Sequence, residues 1–213
     1  MKRRRAAIGI KCAVDRIMAP MLLVLLVPLL AVIALAIKIE DGHSVFYRQQ
    51  RTGLRGRPYR IWKFRTMIPD ADALLDEQGG VGRLDRITKI GKILRVLSLD
   101  ELPQLINITK GDMSFIGPRA ALCEHLRRYT EEQRRRLSMK PGITGLAQVN
   151  GRNTLKWSER IEYDLWYVDH YSMWLDLKIL AKTIRVVIRR EGIALDRRPE
   201  ICDDLGRKAG GQE

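Results

Sequence analysis

The chain is short of the residues that build several common kinds of site. Its 213 residues include three cysteines and three histidines. Cys12, Cys123 and Cys202 stand far apart with no CxxC pair. That spacing excludes a disulfide scaffold and a cysteine zinc site, and an odd count suits a reducing compartment. His43, His125 and His170 fall in no triad or ligand spacing and read as structural or surface residues. A Ser-His-Asp elbow, an HExxH helix, a dinucleotide fingerprint and a P-loop are all missing. No low-complexity tract argues for disorder, and no repeat argues for a solenoid. Acidic residues are outnumbered, 25 against 39 Lys and Arg, for a net charge of +14. Such an excess calls for a polyanionic partner: nucleic acid, anionic lipid or a phosphorylated substrate.

Charge is missing altogether from Ile17 to Ile37, a run of 21 residues bounded by Arg16 and Lys38. It passes the length test for a membrane helix, about 20 apolar residues. It is too long for a signal-peptide h-region, and Ile37-Lys38-Ile39-Glu40 is no small-residue cleavage site. Pro28 falls mid-run, where it removes a backbone hydrogen bond and bends the helix. Basic residues crowd both flanks: Lys2, Arg3, Arg4, Arg5, Lys11 and Arg16 before it, Lys38, Arg48, Arg51, Arg55, Arg57 and Arg60 after it. Basic flanks prefer the cytoplasm, so a helix-break-helix that enters and leaves on one face is expected over a single span.

The remainder reads as a small α/β body of α+β character. Val45–Tyr47 and Tyr59–Phe64 alternate like strands around a turn-rich Thr52–Pro58. Ala71–Glu77, Ile87–Leu97, Leu102–Ile108, a charged Leu122–Leu137, Trp157–His170 and Trp174–Arg190 read as helices. Met113–Ile116 reads as a strand, and Lys140–Asn153 as a glycine-punctuated loop. In the last helix Met173, Leu177, Leu180, Ile184 and Val187 share one stripe, with basic residues off it. That helix either lies on anionic lipid or caps the core, and the pattern leaves both open. The expected units are an anchor over residues 1–40, a catalytic body over 41–203 and a loose tail over 204–213.

The densest chemistry is Arg95-Val-Leu-Ser98-Leu-Asp100-Glu101-Leu-Pro103-Gln104. Ser98 and Glu101 match an S/T-x-x-E capping box, although Pro103 would then fall inside the helix and forfeit a hydrogen bond. A helix beginning slightly later leaves both carboxylates at its positive end, which keeps Asp100 ionised and nucleophilic. Spacing alone leaves cap and active site open. A carboxylate that attacks phosphorus forms an acyl-phosphate that can be passed on. Attack on a diphosphate also needs its charge neutralised, by arginines and a hard cation such as Mg²⁺. Arg65, Arg95, Arg119 and Arg152 each stand beside a turn and together suit a phosphate clamp. In the loop from Pro141 to Asn153, three glycines permit close backbone approach, and Gln148, Asn150 and Asn153 supply hydrogen-bonding groups.

Five pieces in order resemble one family: the apolar segment with Pro28, Lys63-Phe-Arg-Thr-Met67, Ser98-Leu-Asp-Glu-Leu-Pro-Gln-Leu105, Lys110-Gly-Asp-Met-Ser-Phe-Ile-Gly-Pro-Arg119, and Pro141–Asn153. They are similar to the bacterial sugar transferases, small monotopic phosphoglycosyl transferases acting on undecaprenyl phosphate, over roughly Lys11–Gly192. The resemblance implies a re-entrant membrane helix, interfacial amphipathic helices, and a body and both termini on the cytoplasmic face of the bacterial inner membrane. It implies Asp100 as covalent nucleophile, Glu101 as its partner, both near Mg²⁺, and release of UMP from a UDP-sugar. Lys63, Arg65, Arg95, Arg119, Gln148, Asn150 and Arg152 are the expected substrate-binding residues, with no nucleic-acid partner. Three positions depart from the pattern. Val27 precedes Pro28 where Ser is frequent, Ala120 follows Arg119 where Pro is common, and Leu146 replaces a common Trp.

Overall fold

A computed structural model describes residues 2–69, 86–151, 154–189 and 204–205. The expected helix Ala71–Glu77, Arg152 with Asn153, and most of the expected tail lie outside the described residues. The chain folds as mixed helix and sheet. It opens on α1 (Lys2–Asp41), a helix of 40 residues with Pro20 and Pro28 inside it. The strands β1 (Phe46–Thr52) and β2 (Pro58–Phe64) follow as an antiparallel hairpin, and β4 (Ala121–Leu122) pairs with the other edge of β1. Between them lie α2 (Lys89–Leu97), a 3-10 turn (Leu99–Gln104), α3 (Leu105–Lys110) and β3 (Ser114–Ile116). After α4 (Glu131–Arg134), β5 (Gly142–Thr144) runs parallel to β3. Then come α5 (Leu146–Asn150), α6 (Trp157–Asp169) and α7 (Met173–Arg189).

The hairpin register decides what the sheet presents. Arg51 pairs with Tyr59, Gln49 with Ile61 and Tyr47 with Lys63, and directly opposed residues share a face. The opposite face carries Phe46, Trp62 and Phe64. Phe46 meets Trp62 edge-on and stacks on Phe64, each 5.5 Å between centroids, and Arg48 lies 3.6 Å over Trp62. The outer edge of β2 is closed by Asn107 of α3, which accepts from the Trp62 amide and donates to the Arg60 carbonyl. An edge strand covered in this way offers no free backbone ladder.

The charged stretch Leu122–Leu137 is not the single helix its composition predicts. A 3-10 turn over Cys123–Arg128 stops at extended Tyr129, and Thr130 restarts the chain as the cap of α4, completing a capping box with Gln133. The glycine-rich Lys140–Asn153 segment is more ordered than predicted, since it holds β5 and α5. Its glycines serve close approach. A Cβ on Gly142 or on Gly145 would stand 2.2 or 2.1 Å from the backbone of Gly117.

The helix α1 is packed along nearly its whole length. Ala7 and Ile8 meet a cluster of Tyr167, Val168, Tyr171 and Ile179, while Ala19, Leu22, Leu23 and Leu26 meet Leu105, Ile108 and Met113. Leu30, Ile33, Ala34 and Ile37 meet Phe64 and Leu94. Polar ties punctuate the seam. Lys11 donates 2.6 Å to Asp176 in a buried pair, Ser114 donates to Asp15, and Glu40 accepts from the first amides of α2. Lys11 is therefore a buried strut and not a free flanking charge. The backbone is assigned as helix through Pro28, with no non-helical residue between the two halves of the expected helix-break-helix. Pro28 falls instead between the second and third packed patches. The outward side of α1 is apolar, with Ile17, Met21, Val24, Leu25, Val32 and Leu35 all more than half exposed. By length and composition α1 could cross a membrane. In α7 the expected stripe of Met173, Leu177, Leu180 and Ile184 faces outward, and Asp176 and Ile179 face the core.

Candidate active site

Lys63, Asp100, Glu101 and Arg119 converge. Lys63 comes from the last turns of β2, the carboxylates from the 3-10 turn, and Arg119 from the link between β3 and β4. Ser98 holds a left-handed backbone (φ 57°) that ends α2 and throws the chain directly into the next turn. Its side chain makes no capping hydrogen bond, so the capping-box reading falls. Glu101 points instead across to β2. Lys63 Nζ donates 2.6 Å to Glu101 Oε1 and lies 4.0 Å from Asp100 Oδ2, and Arg119 Nη2 is 3.5 Å from Glu101 Oε1. Arg95 donates 2.8 Å to Thr66 Oγ1 and acts on Asp100 by charge.

Burial is the largest influence on Asp100 and pushes its carboxyl up to about 6, with Glu101 adding to the rise and Lys63, Arg95 and Arg119 opposing it. Desolvation outweighs the nearby cations. Asp100 remains mostly ionised at neutral pH, and a carboxylate stripped of most of its water is a stronger nucleophile than a hydrated one.

An open cleft of about 270 Å³, its mouth included, lies over Glu101 and is lined by Arg51, Lys63, Gln104, Arg119, Gly142 and Ile143 among others. Arg119 is fixed by its own backbone. Its carbonyl accepts 2.7 Å from Arg136 Nη2, and its amide faces Asp164, to which Arg136 is paired in full burial. Tyr129 accepts from the same guanidinium. Arg51, Gln104, Arg136 and Asp164 were not singled out from the sequence. Arg136 sits in a run of three arginines, where nothing local marks the buried one.

Other expected residues do not reach this cluster. Arg65 pairs with Asp41 (2.5 and 2.7 Å) and donates to the Ser44 carbonyl, tying the end of α1 to the sheet. Gln148 donates to the Ile143 carbonyl, while its Oε1 is buried without a hydrogen-bond partner among the described residues. Asn150 donates to the Leu146 carbonyl within α5 at an exposed position. Arg152 lies outside the described residues. No group of three or more His, Cys, Asp or Glu is placed to hold a metal among the described residues. The two adjacent carboxylates still fit Mg²⁺, which takes one or two carboxylates and completes its shell with water and substrate phosphate.

The model of the bacterial sugar transferase family matches residues 6–190. An uncharacterized sugar transferase of Bacillus subtilis, EpsL, is 49% identical over 160 residues, 74% of this chain and 76% of its own length. The undecaprenyl-phosphate galactose phosphotransferase of Salmonella typhimurium is 38% identical over 204 residues, 89% of this chain and 42% of that protein. The UDP-glucose:undecaprenyl-phosphate glucose-1-phosphate transferase of Escherichia coli is 41% identical over 184 residues, 82% and 39% respectively. The chain thus spans about two fifths of the length of these two enteric relatives.

Proposed function

The chain belongs to the bacterial sugar transferase family, and from that premise we propose that it moves a sugar-1-phosphate from a UDP-sugar to undecaprenyl phosphate. The observation that carries the reading is the buried Asp100 next to Glu101, which lines an open cleft together with Lys63 and Arg119. An Asp100 carboxylate oxygen attacks the β-phosphorus of the donor. The bond from that phosphorus to the bridging oxygen breaks, and UMP leaves with the electron pair. A phosphate oxygen of undecaprenyl phosphate then attacks the same phosphorus, and Asp100 departs as carboxylate. The sugar's own C1–O bond is untouched throughout.

Lys63, Arg95 and Arg119 neutralise the diphosphate, and Glu101 orients Lys63 and Arg119 toward it. Mg²⁺ held by Asp100, Glu101 and the diphosphate would supply further charge neutralisation on the leaving phosphate. The outward apolar sides of α1 and α7 lie in the cytoplasmic leaflet, which brings the cleft to the lipid phosphate. The reaction is the first membrane step of a bacterial glycan assembly. The two enteric relatives are named for different sugars, galactose and glucose, so the family match leaves the sugar open.

The test is product analysis of the purified protein in lipid with Mg²⁺, a panel of UDP-sugars and undecaprenyl phosphate. UMP is expected with at least one donor, and Asp100→Asn should lower its release by about a thousandfold or more. Robust UMP release by Asp100→Asn would overturn the nucleophile assignment. Release of UDP would instead mean an ordinary glycosyltransferase.

A further inference from the structure

Arg51 borders the same cleft, and nothing in the transfer chemistry above uses it. It sits mid-sheet, with β2 pairing on one side through Tyr59 and β4 on the other through Leu122. Among the described residues its guanidinium is hydrogen-bonded only to neutral groups. Nη2 donates 2.6 Å to Gln49 Oε1 and Nη1 donates 3.5 Å to the Ala120 carbonyl, the residue next to Arg119. Its Nε is buried with no hydrogen-bond partner among the described residues. Burial, and after it the neighbouring Arg119 charge, push its pKa below the usual guanidinium value, with Tyr59, Tyr47 and Glu101 opposing.

Three cations, Arg51, Lys63 and Arg119, therefore line one cleft with a single carboxylate, Glu101. That carboxylate is already engaged by the other two cations. A desolvated charge needs a counter-charge, and among the described residues Arg51 has no ion pair and feels only at a distance the charge of Glu101, which the other two cations already hold. A phosphoryl group is the matching anion, because its oxygens accept from a planar guanidinium fork that a point-charge amine cannot reproduce. Strand pairing on both sides of β1 holds the fork in place before any ligand arrives, so little ordering is lost on binding.

We propose that Arg51 is a phosphate-binding residue, presenting its guanidinium together with that of Arg119 to a phosphoryl group of a substrate. This rests on the phosphosugar-transfer reading, and the phosphoryl group belongs either to the donor's diphosphate or to the acceptor lipid.

The experiment compares wild type, Arg51→Gln and Arg51→Lys in lipid. Binding of pyrophosphate and of UDP is followed by calorimetry, and KM for donor and acceptor by UMP release. Arg51→Gln is expected to weaken phosphate binding or raise one KM by roughly ten- to hundredfold, and Arg51→Lys to give a smaller loss. A change in pyrophosphate binding and donor KM assigns Arg51 to the diphosphate. A change confined to acceptor KM assigns it to the lipid phosphate. Unchanged binding and unchanged KM for both substrates in Arg51→Gln would overturn the proposal. Should Arg51→Gln melt far below wild type, Arg51→Lys decides, and wild-type behaviour in every assay would overturn it. If wild type binds pyrophosphate yet releases no UMP from any donor, the transfer reading falls, and Arg51 is judged on pyrophosphate binding alone.

Discussion

Asp100 titrates under opposing influences that can be separated one residue at a time. Burial and Glu101 raise its pKa, and Lys63 lowers it. Removing the Glu101 charge also frees Lys63 to approach Asp100, so Glu101→Gln should move the Asp100 midpoint below about 6. Lys63→Met should move it above. Carboxylate NMR of the Mg²⁺-free protein checks both, and shifts of the opposite sign would contradict this account of the cluster. Because the folded pKa lies above its ordinary value, Asp100 costs stability at neutral pH. That cost is relieved as pH falls through about 6. For the pair Asp100-Glu101, spacing left cap and active site open, and the surrounding arginines, the apolar run and the family resemblance tipped the reading. Arg51 was not legible. Its face depends on a hairpin register across a five-residue connection, and a slip of one residue would send it to the opposite side. Arg65, read as a phosphate ligand from its neighbours in the motif, lies just past the end of β2 and turns to Asp41 instead.

At the scale of the element, α1 carries more of the body's core than its hydropathy suggests. The apolar run was legible from the absence of charge alone. Its division into an outward side and a packed side was not, because both sides are apolar and no periodicity separates them. The buried seam depends on the Lys11–Asp176 pair, which Tyr167 also joins by donating 2.7 Å to Asp176. Asp176→Ala should leave Lys11 buried without its partner and destabilise the protein by about 3–5 kcal/mol. Denaturant unfolding in detergent measures this, and a loss under about 1 kcal/mol would mean that the pair is effectively solvated. The double variant Lys11→Met with Asp176→Leu should recover most of the loss, because an apolar pair of similar volume avoids the buried charge. Pattern alone left α7 undecided between lipid and core. Its stripe turned out to face outward because Asp176, Ile179 and Thr183 take the inner positions.

For the whole molecule, the decisive geometry is the seam between α1 and the body. A straight helix of 40 residues reaches about 60 Å, roughly twice the hydrocarbon thickness of a bilayer. Body residues contact it near Ala7, near Ala19 and near Ile37. A perpendicular span would carry the charged cleft into hydrocarbon with it, at a cost far beyond any gain from apolar burial. The molecule is therefore expected to lie on one face, with its flanks on the same side. In a background with its three cysteines replaced by serine, Ala13→Cys and His43→Cys should both label from the cytoplasmic side only. Labelling of either from outside would establish a true span.

The packed side of α1 also sets an order of events during synthesis. The helix leaves the ribosome ahead of the body, and its partners Leu105, Ile108, Tyr167 and Ile179 emerge only many tens of residues later. Until then its apolar surface has no protein to cover it, and lipid or a chaperone must hold it. Folding of the body is thus expected to be coupled to where α1 is held in the meantime. A catalytic body translated without that helix would expose three core patches at once and be sent to aggregation or proteolysis.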